Sequence, residues 1–279
     1  MNTRKVWLVT GASKGLGLTL VKKLLENGYK VAATSRNVKA IIKAVDHSDS
    51  DFLPLQVDLV NEPSVSKAIT DAMQKFGTID VVVNNAGYGQ AGTLEELSDE
   101  ESRKNFDVNV FGALNIIRNV MPILRAKKSG HIFNISSVAG FIGNFPSFGI
   151  YCATKYAVVG FTEALSAETK DFGITTTVVY PGYFRTNFLD DGSLNLPKNP
   201  ISDYAEARAM EKLHIDEIRG NQAGNPEKAA AVLMEIAEQE NPPLHLFLGK
   251  DSYVMAKNKI KTIQNELAIN EVLGTSTDY

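Results

Sequence analysis

The stretch Leu8–Gly17, LVTGASKGLG, admits two incompatible readings. Its core, GASKG from Gly11 to Gly15, matches the GxSxG elbow that presents a nucleophilic serine in hydrolases. Its longer frame, TGASKGLG, is a glycine-rich turn of the kind whose backbone N–H groups hold a diphosphate at a helix start. The elbow requires earlier strands, an oxyanion-hole segment before it, and an acid and a histidine after it. Only ten residues precede Gly11, and His47, His131, His214 and His245 stand in no recognisable motif. The turn requires only a strand, the glycines and a helix. These are present: an apolar run from Val6 to Val9, helical spacing from about Leu16, and a second run ending near Ser35. Gly11 permits a tight turn, and Gly15 and Gly17 let backbone approach the diphosphate at the positive end of the helix. Ser13, Lys14 and Leu16 belong to the same cradle, with Ser13 a phosphate or ribose contact. The spacing departs from the GxGxxG fingerprint, so the turn alone decides only the first βαβ unit.

The pattern continues outward. Apolar, β-branched runs recur at Val6–Val9, Val31–Thr34, Phe52–Val57, Ile79–Val83, His131–Ile135, Thr175–Val179 and Leu244–Leu248. Between them lie segments of helical period, such as Leu18, Val21, Leu24 and Leu25, closed by Asn27-Gly28. Strands apolar on both faces and alternating with amphipathic helices call for an α/β fold, a doubly wound parallel sheet of about seven strands with helices on both faces. The reading is one Rossmann-type domain over residues 1–279. The rhythm breaks only after Thr186; residues 187–222, with a helical stretch from Ala205 to Arg219, are expected to form a substrate-binding lid. Residues 251–279 read as a last helix and tail.

Composition bounds the rest. Twenty-nine basic and 32 acidic residues give a net charge of −3, with no basic block to serve as a nucleic-acid arm. The lone cysteine, Cys152, allows no internal disulfide and fits a reducing compartment. No run approaches a membrane span or a leader, so the expectation is a soluble, cytoplasmic protein without nucleic-acid or membrane partners and without a metal site. The triplet Asn134–Ser136 matches a glycosylation acceptor, but lies in a run that reads as a buried strand.

Further motifs follow in order: Asp58 in VDL, NNAG from Asn84 through Ala86 to Gly87, Asn109 in VNVFG, ISSVAG from Ile135 to Gly140, YCATK from Tyr151 to Lys155, and YPGYFRT from Tyr180 to Thr186. With TGASKGLG they resemble the short-chain dehydrogenase/reductase family across nearly the whole chain. A lone YxxxK means little, and Tyr253 with Lys257 supplies a decoy, assigned here to a surface helix. Tyr151 and Lys155 differ in having Ser137 upstream, with four-residue spacing that puts both on one helix face. The bland alternatives are a capping serine and a surface Tyr/Lys pair.

The resemblance implies an NADP(H)-dependent oxidoreductase, a carbonyl reductase or alcohol dehydrogenase. Reducing a carbonyl takes a hydride and a proton, and tyrosine, with an unperturbed pKa of about 10, needs a nearby cation to serve near neutrality. By resemblance Tyr151 is the acid/base and Lys155 supplies that charge and holds the nicotinamide ribose. Ser137 bonds the substrate oxygen, and Asn109 keeps a water in a proton relay; as a mid-helix asparagine it could instead only bond backbone. Thirteen residues separate Ser137 from Tyr151, one more than the commonest family spacing, which leaves Ser136 as a competitor. Asp58 would contact adenine, Asn84 and Gly87 the adenosine side and cofactor floor, and Pro181, Gly182 and Thr186 the nicotinamide amide.

At the second strand end, where an acid would bind a ribose diol, stand Ser35 and Arg36; with Lys14 they suit a 2′-phosphate and favour NADP, unless both cations are merely solvated. Phe141, Phe145, Phe148, Tyr183, Phe184 and Phe188 suggest a small apolar ketone, aldehyde or alcohol as substrate, though core packing would explain some of them. GIYCATK and PGYFRT look most like the hydroxysteroid and retinol dehydrogenase branch. The family implies a homodimer or homotetramer through the helices after Ser98 and through Lys155. A non-catalytic NADP(H)-binding sensor of the same fold is the alternative.

Overall fold

Runs that are apolar on both sides can be buried only in the middle of three layers, and that is where they lie. The computed structural model describes residues 4–47, 50–190 and 192–279. Residues 1–3 of the expected domain and Asp191 of the expected lid lie outside the described residues. Seven strands, β1 (Val6–Thr10), β2 (Lys30–Ser35), β3 (Phe52–Gln56), β4 (Val81–Asn84), β5 (Gly130–Ile135), β6 (Ile174–Pro181) and β7 (His245–Leu248), form one sheet. All neighbours are parallel, in the order β3-β2-β1-β4-β5-β6-β7. This is the expected doubly wound sheet. The order reverses direction between β1 and β4, the position where such sheets open a ligand crevice.

Nine α-helices are described: α1 (Gly15–Glu26), α2 (Val38–Val45), α3 (Glu62–Phe76), α4 (Asp99–Phe106), α5 (Gly112–Lys127), α6 (Gly149–Thr169), α7 (Ala205–Lys212), α8 (Pro226–Ala237) and α9 (Lys250–Thr275). Alternation along β1 shows how they cover the sheet. Trp7 and Val9 join a core with Leu20, Val21 and Leu24 of α1, Ile41 of α2 and Leu233 of α8. Leu8 faces the other way, into a core with Val65 and Ile69 of α3 and Ile116, Val120 and Leu124 of α5. None of the described helices is long and apolar enough to cross a membrane.

Two features exceed the sequence reading. The segment after Thr186 is not wholly irregular: Leu194–Asn195 pairs with Gly89–Gln90, and α7 continues into a π-helical segment, Leu213–Ile218. Carboxylates from before and within α4 hold this segment down. Glu96 accepts from the Ile201 N–H at 2.6 Å and meets Arg208 at 2.7 Å, while Glu101 accepts from the Lys198 N–H at 3.2 Å. The second feature is another π-helical segment, Asp107–Phe111, between α4 and α5, which carries Asn109.

Trp7 is fully buried, stacks on Phe133 at 6.3 Å and meets Tyr29 edge-on at 6.0 Å. Trp7→Ala is expected to lower unfolding free energy by about 3–5 kcal/mol. Urea unfolding followed by far-ultraviolet circular dichroism measures it; a loss below about 1 kcal/mol would mean that Trp7 does not anchor the core on this face.

Candidate active site

The sheet topology places one large cavity, about 790 Å³, over the C-terminal strand ends. At its first end lies the turn after β1. Gly11 has φ +66°, and a Cβ there would stand 2.7 Å from the Ala86 Cα, so only glycine lets the β1 exit touch the β4 exit. A Cβ on Gly17 would stand 2.7 Å from the Gly11 carbonyl oxygen, so this glycine seats α1 against the turn. Lys14, the N-cap of α1, makes no side-chain cap, and the first turn carries no acid. The positive end of α1 is therefore left without a neutralising side chain, beside the cavity. Lys14 and Arg36 also line it and join no ion pair among the described residues. An un-neutralised helix start, a bare backbone turn and two free cations are the donor set a dinucleotide diphosphate and a further phosphate require.

Most of the residues singled out in the sequence meet here: Gly11, Ser13, Lys14, Gly15, Leu16, Arg36, Asp58, Ala86, Gly87, Ser137, Tyr151, Lys155, Pro181, Gly182 and Thr186 all line the cavity. Gly17, Asn84 and Asn109 do not. Asn84 is buried inside the sheet, where its Nδ2 donates to Asn134 Oδ1 at 2.8 Å. Because strand side chains alternate, its neighbour Asn85 faces the cavity and donates to the Thr10 and Gly11 carbonyls at 2.9 and 3.2 Å. Of this pair it is thus Asn85, one residue beyond the expected Asn84, that lines the cavity. Asn109 is spent on structure: Oδ1 accepts from the Tyr88 N–H at 3.0 Å, and Nδ2 donates to the Tyr88 carbonyl and Thr154 Oγ1 at 3.0 and 3.1 Å. Its side chain ties the β4 exit to α6 one residue before Lys155.

At the other end α6 presents Tyr151 and, one turn on, Lys155, both buried. Lys155 Nζ donates to the Ile135 carbonyl at 2.9 Å and stands 5.8 Å from the centre of the Tyr151 ring. No carboxylate pairs with it among the described residues, and burial pushes its pKa down to about 8. Burial raises that of Tyr151, while the adjacent Ser137 hydroxyl acts in the opposite direction. The phenol is therefore protonated, and the ammonium charged, at neutral pH. Ser136 is separated from this pair of roles: its hydroxyl donates to the Lys155 carbonyl at 2.8 Å. The extra residue between Ser137 and Tyr151 is absorbed in the loop, and Ser137 Oγ also accepts from the Ala139 N–H at 3.1 Å as a cap.

Around Tyr151 the wall is apolar: Phe145, Phe148, Phe188 and Leu189 line the cavity, with Tyr183 and Phe184. Phe141 does not; it packs against Tyr180 and Phe247. His214, which no sequence motif marked, also lines it. Its Nδ1 bonds the Met210 carbonyl at 2.8 Å, which assigns the proton to Nδ1 and leaves Nε2 to accept from the Tyr183 hydroxyl at 3.0 Å. Burial lowers its pKa. Gln222 is a second unmarked lining residue, buried and with Oε1 unpartnered among the described residues. Tyr253 of the decoy pair is exposed on α9, away from the cavity.

Comparison with known proteins identifies the family and the fold. The family model described as short chain dehydrogenase matches residues 5–195. The chain is 35% identical over 256 residues to a 3-ketodihydrosphingosine reductase of Bacteroides thetaiotaomicron, covering 91% of this chain and 92% of that protein. A short-chain dehydrogenase structure from Streptomyces avermitilis superposes with a TM-score of 0.88 at 32% identity, over 98% of this chain and 100% of that one. One from Burkholderia phymatum, in complex with NAD, gives 0.80 at 25% identity, over 94% and 95%.

Since Lys155 binds its proton less tightly when folded than when unfolded, the unfolded chain holds more protons between about pH 8 and the usual lysine range. Stability contributed by this site is thus expected to rise across that interval and to be flat below it. Chemical denaturation of wild type and Lys155→Met at pH 7 to 10.5 reads it as a gap that changes above pH 8. A gap independent of pH would contradict the buried, unpaired ammonium.

Proposed function

The chain belongs to the short-chain dehydrogenase family, and from that premise we propose that it is an NADP(H)-dependent carbonyl reductase, reversible as an alcohol dehydrogenase, with Tyr151 as the acid/base. The observation that carries the reading is a buried, protonated phenol one helical turn from a buried, unpaired ammonium, at the apolar end of a cavity whose other end is a cationic turn.

The nicotinamide dinucleotide supplies the hydride when bound. Gly11, Ser13, Gly15, Leu16 and the start of α1 would receive its diphosphate, with Gly17 seating the helix. Asp58, Asn85, Ala86 and Gly87 flank the adenosine side, and Pro181, Gly182 and Thr186 the nicotinamide side. Arg36 after β2, Ser35 in place of an acid, and Lys14 in the turn support a 2′-phosphate and thus NADP over NAD.

In the reducing direction Ser137 donates a hydrogen bond to the carbonyl oxygen and Tyr151 gives its proton to the developing alkoxide. A phenol kept neutral by burial suits that donation. The Lys155 ammonium stabilises the phenolate that results and holds a ribose hydroxyl. Asn109 positions Lys155 through Thr154; with both Nδ2 hydrogens used and Oδ1 accepting one bond, the second lone pair of Oδ1 is what its side chain has left for a relay water. The apolar wall fits a hydrophobic ketone, aldehyde or secondary alcohol, in keeping with the 3-ketodihydrosphingosine named for the Bacteroides relative. Residues 187–222 act as the lid over this end, and the α4, α5 and α6 faces serve a homodimer or homotetramer.

Tyr151→Phe is expected to lower kcat by at least about 10²-fold while cofactor affinity changes little, because the ring and its packing remain. NADPH consumption against a panel of apolar aldehydes and ketones, alongside fluorescence titration of NADPH, measures both. Full turnover by the variant would remove the proposed acid.

A further inference from the structure

The last helix does not end where its packing ends. Of its 26 residues only Ser252 and Ala256 are buried, and every residue from Ile260 onward is exposed. A helix that leaves the body gains nothing from tertiary burial and is marginal alone in water. Its exposed residues are nonetheless apolar: Ile260, Ile263, Leu267, Ile269, Val272 and Leu273 are 44, 39, 66, 80, 86 and 75% exposed. Together they present on the order of 600 Å², the top of the range for a monomer surface.

Spacing and charge identify the occupant. Ile260, Ile263, Leu267, Asn270 and Gly274 recur at alternating intervals of three and four, the seam of a coiled coil. Lys257, Lys259 and Lys261 lie in the first part of this stretch, and Glu266 and Glu271 in the second. We propose that the distal half of α9 pairs antiparallel with the same helix of a second copy of this chain, about a dyad beside Gln264. In that register Ile263 meets Leu267 and Ile260 meets Asn270, each twice, and Lys257 faces Glu271 twice. Parallel in-register pairing would instead set Glu266 against Glu271 on both sides. One like-charge contact remains, Glu266 with itself, at the solvated rim. The overlap also brings Leu273, which flanks the seam and is 75% exposed, alongside Lys259 of the second helix. A lipid surface fits less well, because the most apolar turns carry the two glutamates. The surface is separate from the α4, α5 and α6 faces and independent of the catalytic reading.

Single cysteines test the geometry in the full chain, since Cys152 is only 4% exposed. Under copper–phenanthroline oxidation, Gln264→Cys is expected to form a covalent dimer at least tenfold more than Lys257→Cys, whose partner cysteine would lie about 20 Å away along the seam. Light scattering of Ile263→Glu/Leu267→Glu should give half the wild-type mass with an unchanged circular dichroism melt. Comparable cross-linking at both positions would overturn the antiparallel register. So would no cross-link with unchanged mass, or binding to phosphatidylcholine–phosphatidylglycerol vesicles by a protein that does not self-associate.

Discussion

Two backbones touch where the Gly11 turn meets Ala86, and the site is organised around that contact. A Cβ on Gly11 would stand 2.7 Å from the Ala86 Cα, so the β1 and β4 exits approach as closely as chains can. Thr10 completes the knot, its hydroxyl accepting from the Asn85 and Ala86 N–H groups at 3.0 and 3.1 Å. Asn85 returns the bond to the Thr10 and Gly11 carbonyls. Because β1 and β4 flank the reversal in strand order, this knot fixes the start of α1 over the crevice. Any diphosphate bound there meets fixed N–H groups rather than side chains that must first be ordered.

The opposite end relies on burial rather than backbone approach. Lys155 is held by the Ile135 carbonyl, and among the described residues no carboxylate neutralises it, so its charge remains available to the phenol of Tyr151. A carboxylate partner would have stabilised the ammonium and cancelled its field. Asn109 achieves the placement without charge, by locking the Tyr88 backbone to Thr154. The π-helical segment that carries it is the local departure from helix geometry that positions this asparagine.

Sequence pattern and structure agree most closely where one physical signal suffices. All seven strands appear, β1 and β2 each lengthened by a residue or two, because a run buried on both faces has no other stable form. The glycine turn was legible because its backbone demands exclude other residues. Facing directions were harder: Asn84 and Asn85 are chemically identical, and only the pleat decides which enters the cavity. Phe141 lies beside the wall aromatics in sequence, yet turns toward Tyr180 and Phe247. His214 and Gln222 arrive from a segment whose path depends on the Glu96–Arg208 and Glu101–Lys198 contacts. Those contacts join residues about a hundred positions apart, and no local pattern announces them.

The central claim is that the cationic turn and the Tyr151–Lys155 pair are two ends of one NADP site. Calorimetric titration of the wild-type protein with NADPH and with NADH, at one fixed ionic strength, tests it most directly. The account predicts one site per chain and at least about tenfold tighter binding of NADPH, the equivalent of one charge-assisted phosphate contact. Tighter binding of NADH, or no heat with either dinucleotide, would contradict it.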